Sequence, residues 1–296
     1  MILFEIWLNL IPVRERTDHL AEPMQVALEK YHPYIRKIWV LENKTQKLKK
    51  NTGIMIGDGR FEMVFVTGKG YRTIRPTGSD FFSEGIYLGG QMDRPLELEI
   101  EQDTSLLSIK LEPWAAASLS GFDFKQALNR TVPLGEINPE LNRQLQYLLP
   151  SSQLDKILER LSIALADPIS SPKDIQLVKS CCQILDSGYA DFKTARDLYL
   201  KNNKLSTRSI EQKFSRTIGL SPQKYSNGIR LRKVSEELKF GDPSTSYISL
   251  AYKYGFFDQP HFVNLFKAYW GFSPKKIINS DTFITNPEES LRYYTM

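Results

Sequence analysis

Cysteine and histidine are scarce in this chain of 296 residues: Cys181 and Cys182 stand side by side, and the histidines are His19, His32 and His261. Neighbouring cysteines rarely bridge, so no disulfide framework is expected and a reducing compartment, the cytoplasm, fits. The pair lies in a helical pattern and is read as two small buried side chains. No histidine lies nearby to activate a thiol, which argues against DNA repair through a reactive cysteine. A His-rich metal site needs two or three histidines and a carboxylate, and these three do not assemble one. A Gly-rich phosphate loop, a G-x-S-x-G elbow and a Cys-His pairing are all missing. Asp58, Glu62, Glu97 and Glu99 are read as turn and exposed-strand residues. No catalytic, cofactor-binding or metal-ligating residue is therefore expected, and the chain is not expected to be an enzyme. Long apolar runs are lacking too. Glu5 interrupts "MILFEIWLNL", with no basic segment before it and no cleavage site after it. Neither a signal peptide nor a span of ~20 apolar residues is expected.

Acidic residues are thin in one part of the chain. Residues 172–280 hold 18 Lys and Arg against 9 Asp and Glu, a net of +9, which leaves −4 for the rest of a +5 chain. A basic segment joined to an acidic one points to a polyanionic partner for that segment alone.

The length allows two domains, and two kinds of pattern divide it. From about Tyr34 to Leu111, short alternating runs predict strands. Leu96, Leu98 and Ile100 fall on one face, and Leu107, Ile109 and Leu111 on another. Gly57-Asp58-Gly59 between two apolar runs predicts a β-hairpin turn. A small barrel or sandwich is the expected architecture. After Trp114 the period becomes helical, with Leu154, Ile157, Leu158 and Leu161 on one stripe. "DPISSPKD" (167–174) reads as a linker, and a helical block with a polar, loosely attached tail follows.

That helical block contains a repeat. "KLSTRSIEQKFSRTIGLSP" (204–222) and "FFDQPHFVNLFKAYWGFSP" (256–274) superpose at a constant offset of 52 without a gap. Ser206 answers to Asp258, Ile210 to Phe262, Phe214 to Phe266, Gly219 to Gly271, and Ser221-Pro222 to Ser273-Pro274. Ser and Asp are good N-caps. Apolar residues four apart anchor one helix face. Glycine stops the helix, and Ser-Pro starts the next. "LAYKYGF" supplies a preceding helix and turn for the second copy, which makes a helix-turn-helix unit. The outward positions hold Thr207, Arg208, Glu211, Gln212 and Ser215 in the first copy, and Gln259, His261 and Asn264 in the second. Arg pairs with guanine, Gln and Asn with adenine, and Glu accepts from cytosine.

With Ser206, Arg208, Ile210, Phe214, Gly219, Ser221, Pro222, Arg230 and Leu231, then Ala251, Gly255, Phe256, Phe262, Phe266, Lys267, Gly271, Ser273 and Pro274, residues 172–280 resemble the DNA-binding domain of AraC/XylS-type transcriptional regulators. Gln212 and Asn264 stand where that family commonly has arginine. Residues from about Tyr31 to Leu134 resemble the cupin-like domains that precede it. The resemblance implies an α+β multidomain protein, in which a cupin-like sensor or dimerisation domain (1–135) and a helical connector (136–171) lead to a tandem helix-turn-helix domain (172–280) and a tail (281–296). It implies double-stranded DNA as partner, contacted by the residues above and Lys267. It also implies a small-molecule effector or homodimerisation through the first domain, RNA polymerase as a further partner, and no membrane. The rival readings are an architectural DNA binder without effector and a cupin-like enzyme fused to a DNA-binding module.

Overall fold

Alternating apolar residues make the first half of the molecule a pair of sheets. The computed structural model describes residues 4–5, 34–43, 51–55, 57–149, 154–166, 172–186, 206–242, 244–279 and 291–295. One sheet joins β2 (Ile35–Asn43), β4 (Phe61–Gly68), β7 (Gly85–Gly89), β9 (Thr104–Leu111), β10 (Thr131–Pro133) and β11 (Leu291–Thr295), in the order β10-β7-β4-β9-β2-β11. The other joins β1 (Phe4–Glu5), β3 (Asn51–Met55), β5 (Tyr71–Arg75), β6 (Gly78–Phe82) and β8 (Leu96–Ile100), in the order β1-β3-β8-β5-β6. Pairing is antiparallel apart from the short β1–β3 contact. No ladder joins the two sheets among the described residues, so the expected barrel takes an open, two-sheet form.

Period-two alternation decides what each face covers. Trp39, Leu41, Val64, Val66 and Leu106 of the first sheet meet Tyr71, Phe82, Leu98 and Ile100 of the second. The opposite face presents Ile38, Met63, Phe65, Leu88 and Ile109 to a helical layer. That layer comprises α1 (Ala116–Leu119), α2 (Leu134–Ile137), α3 (Pro139–Gln146) and α4 (Leu154–Ala166). Asn138 caps α3 by accepting from the Leu141 amide at 2.9 Å, with Pro139 at the first position. On α4, Ile157, Leu158, Leu161 and Leu165 are buried, the stripe its spacing predicts.

Two expectations fail. Gly57-Asp58-Gly59 does not close a hairpin, because β3 and β4 lie in different sheets. A type I′ hairpin turn needs two successive residues at positive φ, and here only Gly59, at φ +81°, is positive. The turn carries the chain across from one sheet to the other. The described end of the tail is not loose either, since β11 pairs antiparallel with β2 from Leu291↔Leu41 to Thr295↔Lys37. Backbone pairing to an open edge asks little of side-chain pattern, so the composition gave no sign of it.

The helical block has its own cores. The linker at 167–171 lies outside the described residues, and Pro172 opens α5 (Pro172–Leu185). Residues 187–205 of the expected helical block also lie outside them. Then follow α6 (Thr207–Ile218), α7 (Pro222–Phe240), α8 (Tyr247–Lys253), α9 (Gln259–Trp270) and α10 (Pro274–Asn279).

Candidate nucleic-acid interface

The repeat found in the sequence becomes two matching capped helices, α6 and α9. Ser206 accepts from the Ser209 amide at 3.2 Å, and Asp258 from the His261 amide at 2.7 Å. Each helix buries its anchor pair completely, Ile210 with Phe214 and Phe262 with Phe266. Each ends on a left-handed glycine, Gly219 at φ +89° and Gly271 at φ +76°, whose amide bonds back to Ser215 or Lys267. A side chain at these positive φ values would be strained. Pro260, in the first turn of α9, costs no helical hydrogen bond there.

Between the copies runs α7, 19 residues long and capped by Ser221, or ~28 Å at 1.5 Å per residue. Buried Arg230 on α7 holds the turn of the second unit in place. Its guanidinium donates to the carbonyls of Tyr254 and Gly255, at 3.2 and 2.7 Å, and stacks 4.7 Å from the Phe256 ring centroid. Gly255 adopts φ +67° in that turn, and Phe256 packs against Phe262. α8, capped by Ser246, and α9 thus form a helix-turn-helix pair on a fixed support.

Both capped helices rest their C-terminal ends on the first half of the molecule. A Cβ on Gly219 would lie 2.6 Å from the Phe124 carbonyl oxygen, and one on Gly271 would lie 3.0 Å from Pro95. Tyr269, near the end of α9, donates to the Gly57 carbonyl at 2.6 Å. A Cβ on Gly59 would lie 2.9 Å from the Tyr225 ring of α7. The glycines misread as a hairpin signal are the ones that let two domains touch.

Charge reinforces this contact. Buried Asp58 accepts from Lys110 at 2.7 Å, and Arg60 pairs with Glu112 at 3.6 Å and with Asp186, after α5, at 3.5 Å. Burial alone would raise the Asp58 carboxyl, but Lys110 and Arg60 hold it far below the usual range. For Glu112 burial prevails and its carboxyl is raised. Tyr225 donates to Asp186 at 2.7 Å, and Lys224 pairs with Asp93 at 2.6 Å. Arg216 reaches the Gly121 carbonyl, and Lys213 pairs with Asp174.

These partners sort the basic residues into two groups. Lys213, Arg216, Lys224, Arg230, Arg232 and Lys253 are engaged within the protein. Arg208 and Lys267 are exposed and make no ion pair with a described residue. On α6, Glu211 and Gln212 are exposed beside Arg208, while Thr207 and Ser215 are half-buried. On α9, His261, Asn264 and Lys267 are exposed and Gln259 is half-buried. The nine residues proposed from sequence thus fall into two sets on corresponding helices. Tyr269 had no signal of its own, and the Gly57–Gly59 turn gave a misleading one, because their partners are distant in sequence. Cys181 and Cys182 are fully buried, and burial raises both thiols, Cys181 to about 11. Among the described residues, no group of three or more His, Cys, Asp or Glu side chains is placed to hold a metal ion. No helix there is long and apolar enough to cross a membrane.

Comparison with known proteins separates the two halves. A helix-turn-helix domain family matches residues 199–280, and a domain family of unknown function, DUF6597, matches residues 29–133. The HTH-type transcriptional activator RhaS of Escherichia fergusonii is 38% identical over 73 residues, covering 25% of this chain and 26% of that protein. RhaS of Escherichia coli strain SE11 is 33% identical over 81 residues, covering 27% of this chain and 28% of that protein. The chain thus spans about a quarter of the length of the curated relatives it matches. A solved structure of ToxT from Vibrio cholerae overlaps 83% of this chain and 98% of its own, at 11% identity and a TM-score of 0.39, too low to bear on the fold. The family match falls on the segment that holds both capped helices and the turn pinned by Arg230. The tandem helix-turn-helix domain at residues 199–280 is thus of the AraC/XylS type and similar to that part of the RhaS activators.

Proposed function

We propose that this protein is a sequence-specific DNA-binding transcriptional regulator whose two recognition helices read successive major-groove segments. The observation that carries this reading is the matched exposure of α6 and α9. Their C-terminal ends rest on the first half of the molecule, and their polar faces are open to solvent. A recognition helix presents its N-terminal residues to base edges. A helix of ~28 Å between the units suits two heads about one DNA turn, roughly 34 Å, apart.

In this reading Thr207, Arg208, Glu211, Gln212 and Ser215 face one cluster of base pairs. Gln259, His261 and Asn264 face another about ten base pairs away, and Lys267 contacts phosphate. Residues 1–135 serve as an effector-binding or dimerisation domain and 136–171 as connector. Residues 172–280 bind DNA, and 281–296 form a terminal segment. RhaS is an activator by name, which supports RNA polymerase as a further partner here. The protein works in the cytoplasm and catalyses no reaction.

The test is selection of bound DNA from a random pool by the full chain and by two sets of variants. Arg208→Ala and Gln212→Ala should relax preference at one cluster; Gln259→Ala, His261→Ala and Asn264→Ala should relax it at the other. Affinity should also fall steeply with salt, though with fewer phosphate contacts than the net charge implies, since so many cations are engaged internally. Two variant sets that alter the same base pairs, or a nearly flat salt dependence, would overturn the reading.

A further inference from the structure

Phe257 occupies a place in the second unit that packing does not explain. It lies between Phe256, buried in the core, and Asp258, the N-cap of α9, and it is 83% exposed. An apolar residue before an N-cap ordinarily folds back onto the fourth helical residue as a hydrophobic staple. That residue is Phe262, and Phe256 already covers it, with ring centroids 5.3 Å apart. Phe262 is further enclosed by Phe266 and Tyr247. Phe257 therefore projects outward, at the end of α9 that a recognition helix turns toward the bases. The polar reach of that end is short, with Pro260 in its first turn and the short amide of Asn264 on its outward face.

Resting on the DNA-reading function above, we propose that Phe257 is a specificity-determining residue that reads the 5-methyl group of a thymine in the major groove. Thymine is the one base that presents a methyl group there, and an aromatic side chain is a suitable apolar partner for it. Contact with that methyl discriminates thymine without a hydrogen bond. It thus offsets the weak polar face of the second unit. At the same offset the first unit carries Leu205, also apolar.

The full chain, Phe257→Ser and Phe257→Leu would each select sites from a random pool. The unaltered protein should enrich one thymine at the edge of the second cluster; Phe257→Leu should keep that preference and Phe257→Ser should lose it. Because the ring is exposed, Phe257→Ser should melt at the same temperature as the unaltered protein. Replacing that thymine by deoxyuridine removes only the methyl. The unaltered protein should then bind about fourfold more weakly, the worth of one buried methyl group, and Phe257→Ser should be indifferent. Selection of the same thymine by Phe257→Ser, or an equal response of both proteins to deoxyuridine, overturns the assignment and leaves the regulator reading intact. If the unaltered protein selects no sequence, the regulator reading falls and this assignment falls with it.

Discussion

In the first copy of the repeat, Trp114 from the segment after β9 belongs to the core of Leu177, Ile210, Phe214, Tyr225 and Ile229. In the second, the core from Leu231 to Trp270 comes entirely from the helical block, and the rings of Phe256, Phe262, Phe266, Trp270 and Phe272 pack one against the next. Two units of one repeat are therefore completed in different ways. The second closes on itself and touches the β-rich half through Tyr269 and Gly271. The first borrows an indole from that half and is bound to it by the ion pairs of Arg60 and Lys224 as well. A duplicated sequence need not give duplicated dependence on the rest of the chain.

Trp114→Ala should have the largest effect. Removing a buried indole costs about 3–5 kcal/mol of stability, measurable by denaturant unfolding. Base preference at the first cluster should disappear before preference at the second. Equal weakening of both clusters would erase the distinction between the units. Next come the base contacts. Arg208→Ala should cost about 1–3 kcal/mol of binding and lower the salt slope by about one, whereas Asn264→Ala should leave that slope unchanged. Titrations at several salt concentrations separate the two, and a slope unchanged by Arg208→Ala would show that this cation does not approach the DNA.

Tyr269→Phe is a smaller perturbation. It removes the donor to the Gly57 carbonyl and should cost about 0.5–1.5 kcal/mol in thermal unfolding, with a loss of cooperativity between the halves. An unchanged melt would mean that the second unit is held by apolar contact alone. Smallest of all is the effect of the thiols. Cys181 and Cys182 lie in the core shared with Trp114, and burial keeps them protonated at neutral pH. They should resist alkylation in the folded protein, and their joint replacement by alanine should leave DNA affinity within a few-fold. Rapid labelling at neutral pH would show that this core opens readily.

Much of the candidate site was legible in the sequence because its determinants are local. A cap acts over three residues and an anchor pair over four, so Ser206, Ile210, Phe214 and Gly219 announce a helix whatever surrounds them. The alternating faces of β8 and β9 were legible for the same reason. What was hidden depends on partners far along the chain. Gly57-Asp58-Gly59 has the composition of a hairpin, but its use is set by Tyr225, more than 160 residues on, and by Tyr269, 212 residues on. Trp114 reads as an ordinary apolar residue until the helices it joins are placed beside it. The edge pairing of β11 left no mark on side-chain pattern at all.

Gly219 and Gly271 end their helices, and each does so where the backbone bears on the β-rich half, at Phe124 and near Pro95. With α7 as the third side, these two footings make a triangulated frame. In such a frame, the distance between α6 and α9 is fixed by three lengths instead of one. A change in the shape of segment 95–124 becomes a change in that distance even if α7 does not bend. For the DNA-reading function proposed above, operator spacing thus becomes a dimension of the whole body, and substitutions far from any base retune it.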